Sequence, residues 1–325
     1  MRIACTIGAI LLATSLGGVQ PVMAEEAVLK GAMFIRSTKS LFRQVYEDFV
    51  AEVNAKGKGL VRFAPTLGPE AIPDREMSNA LSTGVIDAAG LPPAYYRGIL
   101  IEGDALQLAT VSPSEQRKNG AIAFIQKQYH AAGWHFLAQY GYGVQFHIFL
   151  NKPVSSLADF KGLRLRTTPT YRKFFDRLGA IQVETSRGEL YTAMERGVVS
   201  GYANPMSEVA PAGWDKVSKY QVNPGFYHAI VTITMNLKKW NSLSKQQQAV
   251  IDAAAIYLEE KLAADFAEKD RAAGKALIDK GMKVITLAGD DGKKLLATAL
   301  DAYWDLLEAE KPANIKTLRP LLSGK

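Results

Sequence analysis

The segment Leu163-Arg164-Leu165-Arg166-Thr167-Thr168-Pro169 sets two arginines on alternate residues of a short apolar run. Period two along a strand puts Arg164 and Arg166 on one face. A guanidinium in such a strand is costly to desolvate unless it meets an acid, and its planar fork of donors fits a carboxylate in bidentate fashion. The acid is either a guest molecule or an internal partner such as Asp159 or Glu189, a buried ion pair of the fold itself. Other chemistry is thinly represented. Among the four histidines (His130, His135, His147 and His228), the five-residue step from His130 to His135 does not fit one helix face, and no H-E-x-x-H occurs. They read as packing or surface residues, and no metal is expected. No G-x-S-x-G frames a serine: Val199-Ser200-Gly201 lacks the leading glycine. Gly141-Tyr142-Gly143 has no third glycine at the dinucleotide spacing, and Gly57-Lys58-Gly59 is not a phosphate loop. No two carboxylates stand out as acid and base. Neither a catalytic residue nor a cofactor is therefore expected.

The elements that must position Arg166 follow from hydrophobic periodicity. After Ser40, Leu41, Val45, Phe49 and Val53 recur every four residues, an amphipathic helix stopped by Gly57 and Gly59. Strands are expected at 28–35, 60–64, 85–89, 136–140, 144–150, 163–167 and 198–199. A central strand is expected at 230–236, where Ile-Val-Thr-Ile-Thr-Met-Asn is rich in β-branched residues. Short helices are expected at 75–81, capped by Asp74, and at 156–160, 170–178 and 189–195. Ser112 and Glu115 have capping-box spacing before a helical stretch to Tyr129. Ser244 and Gln247 repeat it before an uninterrupted helix to about Lys275, on the order of 45 Å long at 1.5 Å per residue. Strands alternating with helices predict an α/β fold with a parallel or mixed sheet covered on its faces.

Composition narrows the classes further. The 325 residues, 48% hydrophobic and 22% charged, fit about two globular domains and exclude a disordered, collagen-like or multi-span membrane chain. The one cysteine, Cys5, lies in the first segment, so neither disulfides nor a thiolate zinc site is expected. The formal charge of +7 is spread without a basic run, which leaves nucleic-acid binding without its usual clustering. Residues 1–24 have the layout of a secretory signal peptide: Arg2, an apolar stretch from Ile3 to Leu16, then Val22-Met23-Ala24 before Glu25. The mature chain is expected to be exported and soluble.

From about residue 28 to the end of the long helix, the chain resembles the periplasmic solute-binding subunits of TRAP transporters, the DctP-like family. The resemblance is carried by D-F-K-G-L-R-L-R-T-T-P (159–169), F-F-D-R-L-G-A (174–180), G-E-L-Y-T-A-M-E-R-G-V-V (188–199) and G-Y-A-N-P (201–205), in the family's order and at nearly its spacing. Asp74 to Met77, Gly84 to Asp87, Pro93 to Tyr96 and the Trp240-Asn-Ser-Leu-Ser-Lys-Gln-Gln phrase agree more loosely. It implies a two-lobed, periplasmic-binding-protein-like α/β fold with a hinge and a long helix spanning both lobes. Lobe I would comprise 25–142 and about 231–270, lobe II 143–230 and about 271–325. The lobes would close on a small organic carboxylate and deliver it to integral membrane permease subunits, in the periplasm, with no nucleic-acid partner.

By the same resemblance Arg166 holds the ligand carboxylate and Asn204 helps hold the ligand. Gln145 falls where many members carry a second arginine, and Arg187 where an aromatic is common. Phe34, Tyr95, Tyr142, Tyr202 and Trp214 fall at or near cleft positions, each equally consistent with core packing. Together they point to an aromatic or apolar-tailed monocarboxylate, whereas an inward Arg187 would point to a dicarboxylate. The alternatives are an exported enzyme acting on a small carboxylate on the same scaffold, and a binding protein that presents its ligand to a sensor.

Overall fold

The strands sort into two main sheets, and each supplies one wall of a cleft. The computed structural model describes residues 26–287 and 289–324; the expected signal peptide lies outside them. In chain order the strands are β1 (Ala27–Leu29), β2 (Gly31–Met33), β3 (Val61–Phe63), β4 (Ala88–Leu91), β5 (Trp134–Tyr140) and β6 (Gln145–Leu150). After these come β7 (Arg164–Thr167), β8 (Ile181–Glu184), β9 (Gly201–Asn204), β10 (Tyr220–His228), β11 (Val231–Asn236) and β12 (Lys283–Thr286). The helices are α1 (Leu41–Lys56), α2 (Met77–Thr83), α3 (Pro113–Lys118), α4 (Ala121–Ala131), α5 (Arg172–Arg177) and α6 (Leu190–Glu195). They continue with α7 (Leu237–Ser242), α8 (Lys245–Tyr257), α9 (Phe266–Asp279), α10 (Asp290–Glu310) and α11 (Pro312–Ser323).

The first sheet runs β2-β4-β11-β5 and the second β12-β10-β6-β9-β7-β8, with β1 and β3 a separate parallel pair. As its β-branched composition predicts, β11 is central, hydrogen-bonded to β4 on one side and β5 on the other. In α1 the Ser40 hydroxyl accepts from the Arg43 N–H, and Phe42, Val45, Tyr46, Phe49, Val50 and Val53 are buried, the expected cap and face.

Several expected boundaries shift for local reasons. The run 28–35 is not one strand. The Lys30 N–H turns to the Asp87 carboxylate at 2.8 Å, so β1 pairs with β3 and β2 with β4. Bends follow the left-handed Gly84 (φ 77°), and β4 begins only at Ala88. The strand expected at 198–199 starts three residues later, as β9.

The long helix is broken. A π turn at Leu258–Leu262 separates α8 from α9, although the sequence there contains neither proline nor glycine. The buried Glu259 carboxylate binds Arg117 Nε at 2.5 Å and the Gln139 N–H at 2.9 Å, which draws this turn onto the first sheet. Up to α9, three segments pass between the sheets: 141–144, 229–230 and the break at 258–265. The first two touch backbone to backbone. The Ala229 N–H reaches the Val144 carbonyl at 2.8 Å, and a Cβ on Gly141 (φ 96°) would lie 2.1 Å from the Ala229 carbonyl oxygen, so only glycine fits there.

Beyond α9 the chain packs α10 on α5 and β10, then returns α11 to the first sheet's side, against α4 and the turn at 102–108. There the amphipathic face of α11 buries Ile315, Leu318 and Leu322.

Candidate functional site

The carboxyl ends of the parallel strands from both sheets face one cavity. Phe34 and Ile35 follow β2, Pro92 and Tyr95 follow β4, Arg166 and Thr168 close β7, and Asn204, Pro205 and Glu208 close β9. Open α/β sheets present their ligand sites at these ends, because the turns that leave parallel strands converge there. The cavity measures about 60 Å³, and Phe34, Ile35 and Arg187 also border a wider vestibule of about 420 Å³.

The close approach of β7 and β9 brings Arg166 and Asn204 together. Leu165 is in register with Gly201, and a Cβ on Gly201 would sit 2.4 Å from the Phe149 carbonyl oxygen. A side chain at 201 would push β9 off β6 and carry Asn204 with it.

Arg166 is 3% exposed. Its Nε donates to the Thr185 carbonyl at 3.2 Å and its Nη1 to the Tyr171 hydroxyl at 3.1 Å. Both acceptors are neutral. Of the five N–H bonds of a guanidinium, these two contacts leave three without an acceptor among the described residues. Among the described residues no carboxylate lies within ion-pair distance of it. Asp159 instead accepts the Ser155 and Ser156 N–H groups, and Glu189 accepts from Ser186. The internal salt bridge named as an alternative for Arg166 is thus absent among the described residues. Arg164, expected on the same face, is exposed and donates to the Val198 carbonyl.

Asn204 is buried, and its carboxamide makes no hydrogen bond within the described residues. Tyr171, whose hydroxyl holds Arg166, donates to the Ala203 carbonyl at 3.0 Å. Phe34 and Tyr95 meet edge to face, with centroids 5.6 Å apart, and Phe146 and Tyr171 do the same at 5.7 Å. Burial raises the Tyr95 pKa above its ordinary value, and the positive charge of Arg166 is the largest influence opposing that rise.

Arg187 also borders the cavity, but its charge is already paired. Its Nη2 donates to Glu208 Oε2 at 2.7 Å, and its guanidinium lies 4.7 Å above the Trp214 ring. Glu208 is 1% exposed, and its other oxygen accepts from the Ser40 hydroxyl at 2.8 Å. Ser40 caps α1 beside the first sheet and Glu208 follows β9 in the second, so this bond crosses the cleft. Arg166, Arg187 and Glu208 are the charged residues among those that line the cavity.

The sequence expectations divide accordingly. Arg166, Asn204, Arg187, Tyr95 and Phe34 line the cavity. Gln145 does not. It opens β6 as an exposed residue, and strand alternation gives the inward position to Phe146. Trp214 borders the vestibule rather than the cavity. It is buried beneath Arg187 and packs on Tyr202 at 5.0 Å. Tyr202 is buried with Trp214 and Phe149 in a separate apolar cluster, with its hydroxyl on Ser218, and Tyr142 lies against His228. Residues unforeseen from sequence are Phe146, Tyr171, Thr168, Thr170 and Glu208. The threonines adjoin Arg166 in L-R-L-R-T-T-P-T and were open to notice there, whereas Glu208 carries no local signal.

His135 and His147 are buried, His228 is half-buried and His130 is exposed. His135 stacks on Trp240 at 4.0 Å and lies 2.9 Å from His130. Among the described residues no group of three His, Cys, Asp or Glu is placed to hold a metal.

The family model for bacterial extracellular solute-binding proteins, family 7 (DctP), matches residues 32–311. The monocarboxylate 2-oxoacid-binding periplasmic protein all3028 of Nostoc sp. is 24% identical over 294 residues, 86% of this chain and 79% of that protein. The fold is similar to that of a TRAP periplasmic solute-binding protein from Desulfovibrio salexigens, crystallised with orotic acid. The TM-score is 0.81 at 21% identity, over 91% of this chain and 97% of that one. DctP7 of Bordetella pertussis, an extracytoplasmic solute receptor binding pyroglutamic acid, gives 0.81 at 17% identity, over 91% and 99%.

Proposed function

Because the chain belongs to family 7 of the bacterial extracellular solute-binding proteins, the DctP family, we propose that it is the receptor of a TRAP-type transporter. It captures a small organic carboxylate between its two sheets and hands it to the membrane permease. One observation carries this reading. Arg166 is a buried cation that faces a cavity with three free donors and no counter-ion, an arrangement that a carboxylate guest would complete. Asn204 offers an amide donor and acceptor beside it. Phe34, Tyr95 and Phe146 give the remainder of the guest an apolar, aromatic wall. That wall suits an acid with an apolar or aromatic body, and the ligands of the relatives (a 2-oxoacid, orotic acid and pyroglutamic acid) are compact organic acids.

The two lobes are centred on the two sheets, with α11 on the first, and the segments 141–144, 229–230 and 258–265 serve as the hinge. Closure removes water from Arg166, which strengthens its contact with the guest, and reopening at the permease releases it. Residues 1–24 direct export to the periplasm and are then removed.

The test is mass spectrometry of the small molecule that co-purifies, followed by a thermal-shift panel of organic acids. A carboxylate recovered unchanged after denaturation supports a receptor. At 100 times its dissociation constant it should stabilise the protein by about 2.7 kcal/mol. A chemically altered product would favour the enzyme alternative, and a cation or neutral sugar as the tightest ligand would refute the role of Arg166.

A further inference from the structure

We propose that Glu208 sets the charge of the guest: by holding Arg187 in a neutral pair at the cavity wall, it restricts the site to monoanionic carboxylates. The inference rests on the reading of the cavity as a carboxylate site and deepens it.

The argument is a count of charge. Among the lining residues Arg166 and Arg187 contribute +2 and Glu208 −1, which leaves +1. A monocarboxylate on Arg166 brings the closed cavity to zero. A dicarboxylate would leave one negative charge buried without a partner, beside a carboxylate that is itself 1% exposed. Burial of an unpaired ion of this kind costs several kcal/mol, on the order of the whole affinity of a weak ligand.

The pair is built to persist. Trp214 supports the face of the Arg187 guanidinium, Glu208 Oε2 accepts a hydrogen bond from its Nη2 at 2.7 Å, and Glu208 Oε1 is fixed by the Ser40 hydroxyl across the cleft. Arg187 therefore cannot swing to a second guest carboxylate without stranding Glu208. Asp270, the acid behind this turn, is already engaged, accepting the Ser207 N–H at 2.7 Å.

The charge count makes a specificity switch. Glu208→Gln keeps an acceptor for Ser40 and raises the cavity charge to +2, a match for a dianion. Arg187→Gln with Glu208→Gln returns it to +1. The probes are matched acids that differ by one carboxylate: pentanoate and glutarate, 2-oxopentanoate and 2-oxoglutarate, benzoate and terephthalate. The readout is the ratio of their dissociation constants by calorimetry, with the melting temperature of each variant recorded.

Wild type should favour the monoacid of each pair it binds by at least tenfold. Glu208→Gln should shift that ratio at least tenfold toward the diacid, and the double variant should restore it. Arg187→Gln alone, which strands Glu208 in the cavity, should weaken monoacid binding at least tenfold. Wild type that binds diacids as well as monoacids would overturn the proposal. So would an unmoved ratio in a folded Glu208→Gln, or undiminished monoacid binding in Arg187→Gln. In each of these cases the carboxylate reading stands. Failure of wild type to bind any mono- or diacid is a different result, which brings down that reading and this proposal with it.

Discussion

Arg166→Met separates a ligand anchor from a structural arginine, because the two roles predict opposite pairs of results. Arg166 is 3% exposed, and its two internal acceptors, the Thr185 carbonyl and the Tyr171 hydroxyl, are neutral. An arginine in a buried ion pair costs about 3–5 kcal/mol of stability when removed, because its carboxylate is left unpaired. Arg166→Met strands no charge. It loses two hydrogen bonds to neutral groups, of the order of 1 kcal/mol net each, and relieves a buried cation that lacks a counter-ion. The ligand-free variant should therefore melt close to wild type or above it. Binding should respond in the opposite sense. The guest carboxylate would be desolvated without its partner, a loss of about 2–5 kcal/mol, or roughly thirtyfold to several thousandfold in affinity. Arg166→Lys should recover only part of this, since an ammonium cannot reproduce the two-point fork. The assays are calorimetry with the co-purifying acid and melting with and without it. A variant that binds normally, or one that melts far below wild type while retaining affinity, would refute the reasoning.

Gly201→Ala should lower the melting temperature and weaken ligand binding together, because the new Cβ meets a backbone oxygen at 2.4 Å rather than a movable side chain. A variant with wild-type melting and affinity would show that β9 yields at no cost. Ser40→Ala removes both the cap of α1 and the bond across the cleft to Glu208. The cap alone is worth ~1 kcal/mol, so denaturant midpoints should fall measurably and ligand dissociation should quicken in stopped flow. Stability should also decline in mild acid. Burial lowers the His135 pKa from 6.5 to about 4, aided by the neighbouring His130, and burial lowers those of His147 and His228. Between the two values the unfolded chain binds protons that the folded chain refuses. The stability from His135 is therefore complete above about 6.5 and is lost progressively as pH falls toward about 4. Urea midpoints across that range should slope less steeply in His135→Gln than in wild type, and equal slopes would remove His135 from this role.

Local sequence carried what local physics decides. The cap and apolar face of α1, the central position of β11 and the strand bearing Arg166 all follow from periodicity and β-branched composition within a few residues. What escaped was decided at a distance. The break after Tyr257 depends on Glu259 finding Arg117 and Gln139, more than a hundred residues earlier, so a window of alanines and charges reads as continuous helix. Glu208 looks like a surface charge until Ser40 and Arg187 are folded around it. Gln145 failed by a single register step, since alternation along β6 turns its neighbour Phe146 inward instead.

The two cavity arginines show why residue type alone does not assign a role. Arg187 meets a carboxylate and becomes part of the wall, whereas Arg166 meets only neutral oxygens among the described residues. The distinction lies in Tyr171. Its hydroxyl gives its proton to the Ala203 carbonyl, so a lone pair is left to receive Arg166 Nη1. The anchor is thereby tied to the strand that carries Asn204, one residue further on. Orientation is fixed without neutralisation, so under the proposed function a guest would not spend binding energy ordering the guanidinium. A hydroxyl with a committed proton can hold a cation in place and still leave it electrostatically free. A carboxylate at position 171 would hold it more tightly and empty the site of its attraction.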